Sequence, residues 1–237
     1  MRILDFQMVM TELEALGKER TKKIYMSNGA VEPLFGVNTG LMKPLKKEIK
    51  LNQTLAEQLY ATGNYDAMYF AGVIAEPNTM TEQDYNRWID GAYFYMISDY
   101  IVAVTLAEST IGEQLATKWI ASGEELKMSA GWSCYCWMLG NRKDETFQHE
   151  TIELLLQQVI ETIHTSPKRT RISMNLFVTT VGISYRPLHE KALQAAKEIG
   201  LVEIESKGKV SHLNPIETIE KEIQKGRIGF KRKYVRC

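Results

Sequence analysis

Apolar residues recur at three- and four-residue intervals along most of this chain, the spacing that lines up one face of an α-helix. The pattern begins with Leu4, Met8, Leu13 and Leu16, and Gly17 stops it. It resumes after the turn-like "NGAVEPLFG", in "TGLMKPLKKEIK" and in "NQTLAEQLYATG", where Asn52 is placed to cap. "NYDAMYFAGVIAEP" runs up to a proline, and "TEQDYNRWIDGAY" begins after Thr81, another good cap. "YFYMISDYIVAVTLAES", "TIGEQLATKWIAS", "GEELKMSAGWSCYCWMLGN", "DETFQHETIELLLQQVIETIH", "PKRTRISMNLFVTTVGISY" and "PLHEKALQAAKEIG" continue the series.

Taken in pairs, these segments form helical hairpins of roughly 30 to 40 residues, the scale on which HEAT-like arrays stack. The expected fold class is all-α: an α-α superhelix of HEAT-like hairpins over residues 1–200, with right-handed stacking from about residue 40 onward. A plain helical bundle is the alternative pairing of the same helices. The character changes after residue 200, where "LVEIESKGKVSHL" alternates weakly around "KGK" and predicts a β-hairpin near residues 202–213. A helix capped by Asn214 and opened by Pro215 follows, then a basic tail, so residues 201–237 read as a C-terminal extension.

With 237 residues and a 44% apolar share, the chain can bury a substantial core. No run approaches the roughly 18 apolar residues of a membrane span. The N-terminus carries acids within its apolar pattern, unlike a signal peptide, so a cytoplasmic protein with no membrane association is expected. Cys134 and Cys136, two apart on a helix, point to different faces, and the four histidines show no ligand spacing. Neither a disulfide framework nor a metal site is expected, and no cofactor is called for.

Net charge is zero, but the charges are unevenly placed. The tail "KGRIGFKRKYVRC" holds six cations and no acid, with Phe230 and Tyr234 interleaved, and "KERTKK", "KPLKKEIK" and "PKRTR" add further clusters. Lys168, Arg169 and Arg171 open a helix whose amides also favour phosphate, and Lys231, Arg232 and Lys233 suit a segment that grips a phosphate backbone. Solvated surface is the alternative for these clusters, and a disordered segment with no role is the alternative for the tail. Asp99 poses a separate question, as the lone carboxylate of "YFYMISDYIVAVTLAES". Such an acid is a cap, half of an ion pair or a working group, and Ser98 or Asp99 is well placed to cap a helix start. Tyr93, Tyr95 and Tyr100 beside it serve equally well as core aromatics, and Trp119 reads as a core residue.

At "YFYMISDYIVAV", "KWIASGEELKMSAGW" and "IYMSNGAVEPLFGVNTG" the chain resembles the bacterial DNA alkylation repair family, the HEAT-like alkylpurine DNA glycosylases. The likeness extends over most of residues 20–190, and "LHEKALQAAKEIG" with the tail is similar to the ending of one branch. The resemblance implies a curved solenoid holding duplex DNA on a basic concave face. It also implies hydrolysis of the bond between deoxyribose and a cationic alkylated purine, with a carboxylate near aromatic rings stabilising an oxocarbenium-like sugar. Asp99 matches the family's catalytic aspartate, Tyr95 stands where active members carry tryptophan, and Tyr25 matches a tyrosine that reaches toward DNA. The arginine of active members falls at Ser129 and their later tryptophan near Val178. Lys127 lies about 200° round the helix from position 129, and Arg171 is the better cation candidate, although it opens a different helix.

The expectation is therefore a duplex-DNA-binding member of that family in which alkylpurine excision is weak or absent. A non-catalytic module that recognises DNA shape or damage, and an α-solenoid scaffold for a protein partner, are the alternatives.

Overall fold

The computed structural model describes residues 4–236, which divide into two compact units. One comprises the chain up to Ile111 together with Arg236, and the other comprises Gly112–Val235. Helices make up nearly all the regular structure of both, as the periodicity predicts. The sheet among the described residues is the expected hairpin, Val202–Ser206 antiparallel to Lys209–Leu213. Lys207 and Gly208 turn it with φ of 51° and 73°, the left-handed pair that fits the twist of two short strands.

In the first unit, helix Gln53–Tyr60 and helix Tyr65–Ile74 form an antiparallel hairpin. Asn52 caps the first by accepting the Leu55 N–H, and Asn64 caps the second by accepting those of Asp66 and Ala67. Helix Glu82–Asp90 opens with the reciprocal Thr81 and Asp84 capping box. Trp88 is fully buried, stacks on the Tyr60 ring at 4.2 Å, and donates its indole N–H to Glu57. At Gly72 a Cβ would lie 2.7 Å from Cγ2 of Ile101, so helix Tyr65–Ile74 meets the next helix with no room for a side chain.

That next helix is not uniform. It starts at Tyr95, passes through a π-helical turn at Ser98–Val102, and resumes as α-helix over Ala103–Ala107. The flanking residue is Phe94, with no side-chain cap, so neither Ser98 nor Asp99 caps the start. Asp99 lies inside the helix on the π turn, a distortion that recurs at functional sites.

In the second unit, helix Gly112–Ile120 pairs with helix Glu125–Leu139, and the latter packs in turn on helix Lys168–Ser184. Residues Ser129 to Cys136 are all buried, so this helix is enclosed on every side. Gly131 permits the closest approach, since a Cβ there would stand 2.7 Å from the Ala116 carbonyl oxygen. Trp119 and Trp132 are core residues, as expected for Trp119, and Cys134 and Cys136 are buried and outside any disulfide. Helix His189–Ile199 and helix Pro215–Gln224 pack against Lys168–Ser184. Among the described residues no helix is long and apolar enough to cross a membrane.

Candidate nucleic-acid interface

Asp99 is 1% exposed, and its Oδ1 accepts the Ser98 hydroxyl at 2.8 Å. The same unit, the first, carries a run of aromatic rings. Tyr95 meets Tyr100 at 6.4 Å and Phe94 at 6.0 Å, Phe94 meets Tyr65 at 5.2 Å, and Tyr65 meets Tyr25 at 4.9 Å, all edge-on. Tyr25 and Tyr95, two of the residues singled out from the family resemblance, thus belong to one aromatic cluster, and Asp99 precedes Tyr100 of that run in the chain. Tyr95 is half-buried and Tyr100 exposed, so the rings reach solvent while the carboxylate does not. Tyr95 and Tyr100 thereby keep aromatic surface accessible, while the buried Asp99 carboxylate accepts a hydroxyl of its own helix.

Tyr25 is held by the loop that follows its helix. Its hydroxyl donates to the Val37 carbonyl at 2.8 Å, and burial pushes its phenol up to about 12. The loop is fastened by a residue that sequence reasoning passed over. Asp66, 1% exposed, accepts the backbone N–H groups of Phe35, Gly36 and Val37 at 2.6, 2.8 and 2.8 Å. Burial raises its carboxyl above the ordinary value, against the downward pull of those three amides. A signal was available, because "NYDAMYFAGVI" encloses an acid in an apolar run just as "MISDYIV" does.

The cations predicted in the second unit fall into two groups. Lys168 is exposed at its helix start, but the Arg169 N–H already donates to the Glu125 carboxylate at 2.6 Å, so one of the N–H groups expected to favour phosphate is occupied. Arg171 turns away to the β-hairpin, donating Nη1 to the Glu203 carbonyl at 2.9 Å, while its Nε is buried without an acceptor. Ser129 and Val178, the positions where active relatives are expected to carry arginine and tryptophan, are both fully buried. Lys127 pairs with Glu124 at 3.4 Å.

The basic tail is a folded segment. Gly229 donates its N–H to the Ile183 carbonyl at 2.6 Å, at the end of helix Lys168–Ser184. Lys231 donates to the Leu139 carbonyl at 2.6 Å and pairs with Asp144 at 2.7 Å, and the Arg232 N–H reaches the Gly140 carbonyl at 2.7 Å. These groups close the carboxyl end of helix Glu125–Leu139, where cations are electrostatically favoured. The Arg232 guanidinium lies over the Trp137 ring, and Lys233, exposed, stands over Tyr234. Arg236, in the first unit, pairs with Glu108 at 2.7 Å and donates to the carbonyls of Gly72 and Ala75 at the end of helix Tyr65–Ile74.

No group of three or more metal-ligating side chains occurs among the described residues. Residues 9–207 match the family model of DNA alkylation repair enzymes. An uncharacterized protein of Listeria innocua is 34% identical over 227 residues, covering 92% of this chain and 97% of that protein. One from Listeria monocytogenes is 33% identical over 208 residues, covering 85% and 89%. A solved structure is 67% identical, covers 99% of this chain and 100% of its own, and superposes with a TM-score of 0.96. It is described as representing a new family of proteins related to the HEAT-like repeat DNA glycosylases, with affinity for branched DNA structures.

Proposed function

This chain belongs to the DNA alkylation repair enzyme family, and we propose that it binds branched DNA through its phosphate backbone rather than excising alkylated bases. One observation carries the reading: the end-to-end likeness to a protein with affinity for branched DNA. The fully buried Ser129 and Val178 support it, because an enclosed hydroxyl and an isopropyl group replace the cation and the second aromatic surface expected of an active pocket. The enclosure of Asp99 supports it too, since a carboxylate that is to stabilise a sugar cation has to be approached by that sugar.

Lys168, Arg232 and Lys233 keep exposed positions and are assigned to phosphate contacts, as is Arg169, which follows Lys168. Tyr25 and Tyr95 present ring faces from the aromatic cluster. Lys231 and Arg171 shape the surface that carries the others, through the carbonyls they hold. Linear duplex is bound through the same contacts, more weakly, since phosphate contacts position a protein without reading bases.

The test is a titration of a four-way junction and a linear duplex of equal length at two salt concentrations. Tighter retention of the junction, with log affinity falling linearly as log salt rises, is the expected result. Binding to neither would end the DNA reading and leave a protein-interaction scaffold.

A further inference from the structure

Lys50 has a backbone conformation that belongs to glycine. It closes helix Lys43–Ile49 with φ 64° and ψ −142°, its N–H donating to the Lys46 carbonyl at 2.8 Å. Side chains rarely occupy this region, because a Cβ crowds the neighbouring peptide groups. The same molecule supplies a control. Gly200 closes helix His189–Ile199 with the same φ 64° and ψ −142°, and its N–H donates to the Ala196 carbonyl at 3.1 Å. The turn itself therefore needs only a glycine, and at position 50 the chain keeps a long cationic side chain against the conformational cost.

The surroundings indicate what that side chain does. Lys43, Lys47 and Lys50 are all exposed, and none has an ion-pair partner among the described residues. Lys43 and Lys47 are one helical turn apart, a like-charge spacing that weakens a helix in isolation. Lys47 and Lys50 line an open hollow of about 350 Å³ with Pro44 and Glu48. Placing cations near the helix end is favourable in itself, which accounts for Lys46 and Lys47 but does not require a strained Lys50. A strained cation set beside unpaired cations suits a polyanion with closely spaced charges.

We propose that Lys43, Lys47 and Lys50 form a phosphate-contact site for DNA, with the strained Lys50 held in place for its charge. The assignment rests on the DNA-binding reading above and adds to it a specific surface of the first unit. The test compares wild type, Lys50→Gly and Lys50→Arg in thermal unfolding and in titrations of a four-way DNA junction. Lys50→Gly is expected to unfold at a higher temperature and to bind about three- to tenfold more weakly near 0.1 M salt, with the salt slope reduced by about one unit. Lys50→Arg is expected to keep wild-type affinity. A Lys50→Gly protein with wild-type affinity and slope overturns the site, and one that melts lower overturns the strain argument. A wild type that binds no DNA overturns the functional reading itself, a distinct result.

Discussion

The Asp66 carboxylate accepts the Val37 N–H at 2.8 Å, and the Val37 carbonyl accepts the Tyr25 hydroxyl at 2.8 Å, so the buried acid and the half-buried phenol are joined through a single peptide residue. A residue on one helix thereby sets the position of a ring on another.

Asp66→Ala leaves three backbone N–H groups without an acceptor and is expected to lower stability by about 3–5 kcal/mol. Asp66→Asn retains one carbonyl oxygen but turns an NH2 toward an amide donor, so its cost should be intermediate. Urea unfolding of the three proteins orders them. A wild-type midpoint for Asp66→Ala would show that the loop is held by something else.

Tyr25 carries a pH dependence of definite sign. Its phenol is raised from 10.0 to about 12 by burial, and only the neutral form donates to Val37. The stabilisation is therefore fully present below pH 10 and is lost as pH rises through about 12. Tyr25→Phe should remove this alkaline component and cost about 0.5–1.5 kcal/mol at neutral pH. Unfolding midpoints of both proteins, followed from neutral to alkaline pH, should converge as the phenol ionises.

The cations of the tail divide into two classes. Arg236→Ala exposes the carbonyls of Gly72 and Ala75 and strands Glu108, and should cost about 2–4 kcal/mol of stability. Lys231→Ala should cost about 1–3 kcal/mol through the Leu139 carbonyl and Asp144. Lys233→Ala should leave the melting temperature alone and flatten the salt dependence of DNA binding. Melting curves and junction titrations of the three variants check the division, and a destabilised Lys233→Ala would erase it.

Release of methylated purines from alkylated duplex DNA should stay near background for the wild type. Losing a preorganised charge of the kind expected of active relatives at position 129 costs about 100- to 1000-fold in rate. Asp99→Asn and Tyr95→Ala should then change the level of release no further. Vigorous excision abolished in Asp99→Asn would restore the carboxylate to a catalytic role.

The fold was legible because its signals are local. Helix periods, the Asn52 and Thr81 caps, the Asn214 and Pro215 start and the "KGK" turn each depend on a few adjacent residues, and each appears where it was expected. The candidate site was legible only as residue names. Tyr25, Tyr95 and Asp99 were singled out through resemblance, while the rings that connect Tyr25 with Tyr95, namely Tyr65 and Phe94, are set by contacts between helices that no local pattern records. The same limit explains Asp66, whose partners lie about thirty residues earlier. The tail was the largest surprise. Six cations without an acid read as a segment that grips phosphate or as a disordered tail, yet the carbonyls of Leu139, Gly72 and Ala75 take up several of their donors, and acceptors on the backbone leave no trace in composition.

Arg236 follows Gly72 in the chain by 164 residues and Ala75 by 161. At the usual pace of translation, that interval lasts roughly 8–30 s. Helix Tyr65–Ile74 thus leaves the ribosome long before the side chain that finishes its carboxyl end exists. During that time the nascent protein carries an open helix terminus, and the first unit reaches its final stability only when a residue made 161 positions after Ala75 arrives. Maturation of the early part of this protein is timed by synthesis of the late part.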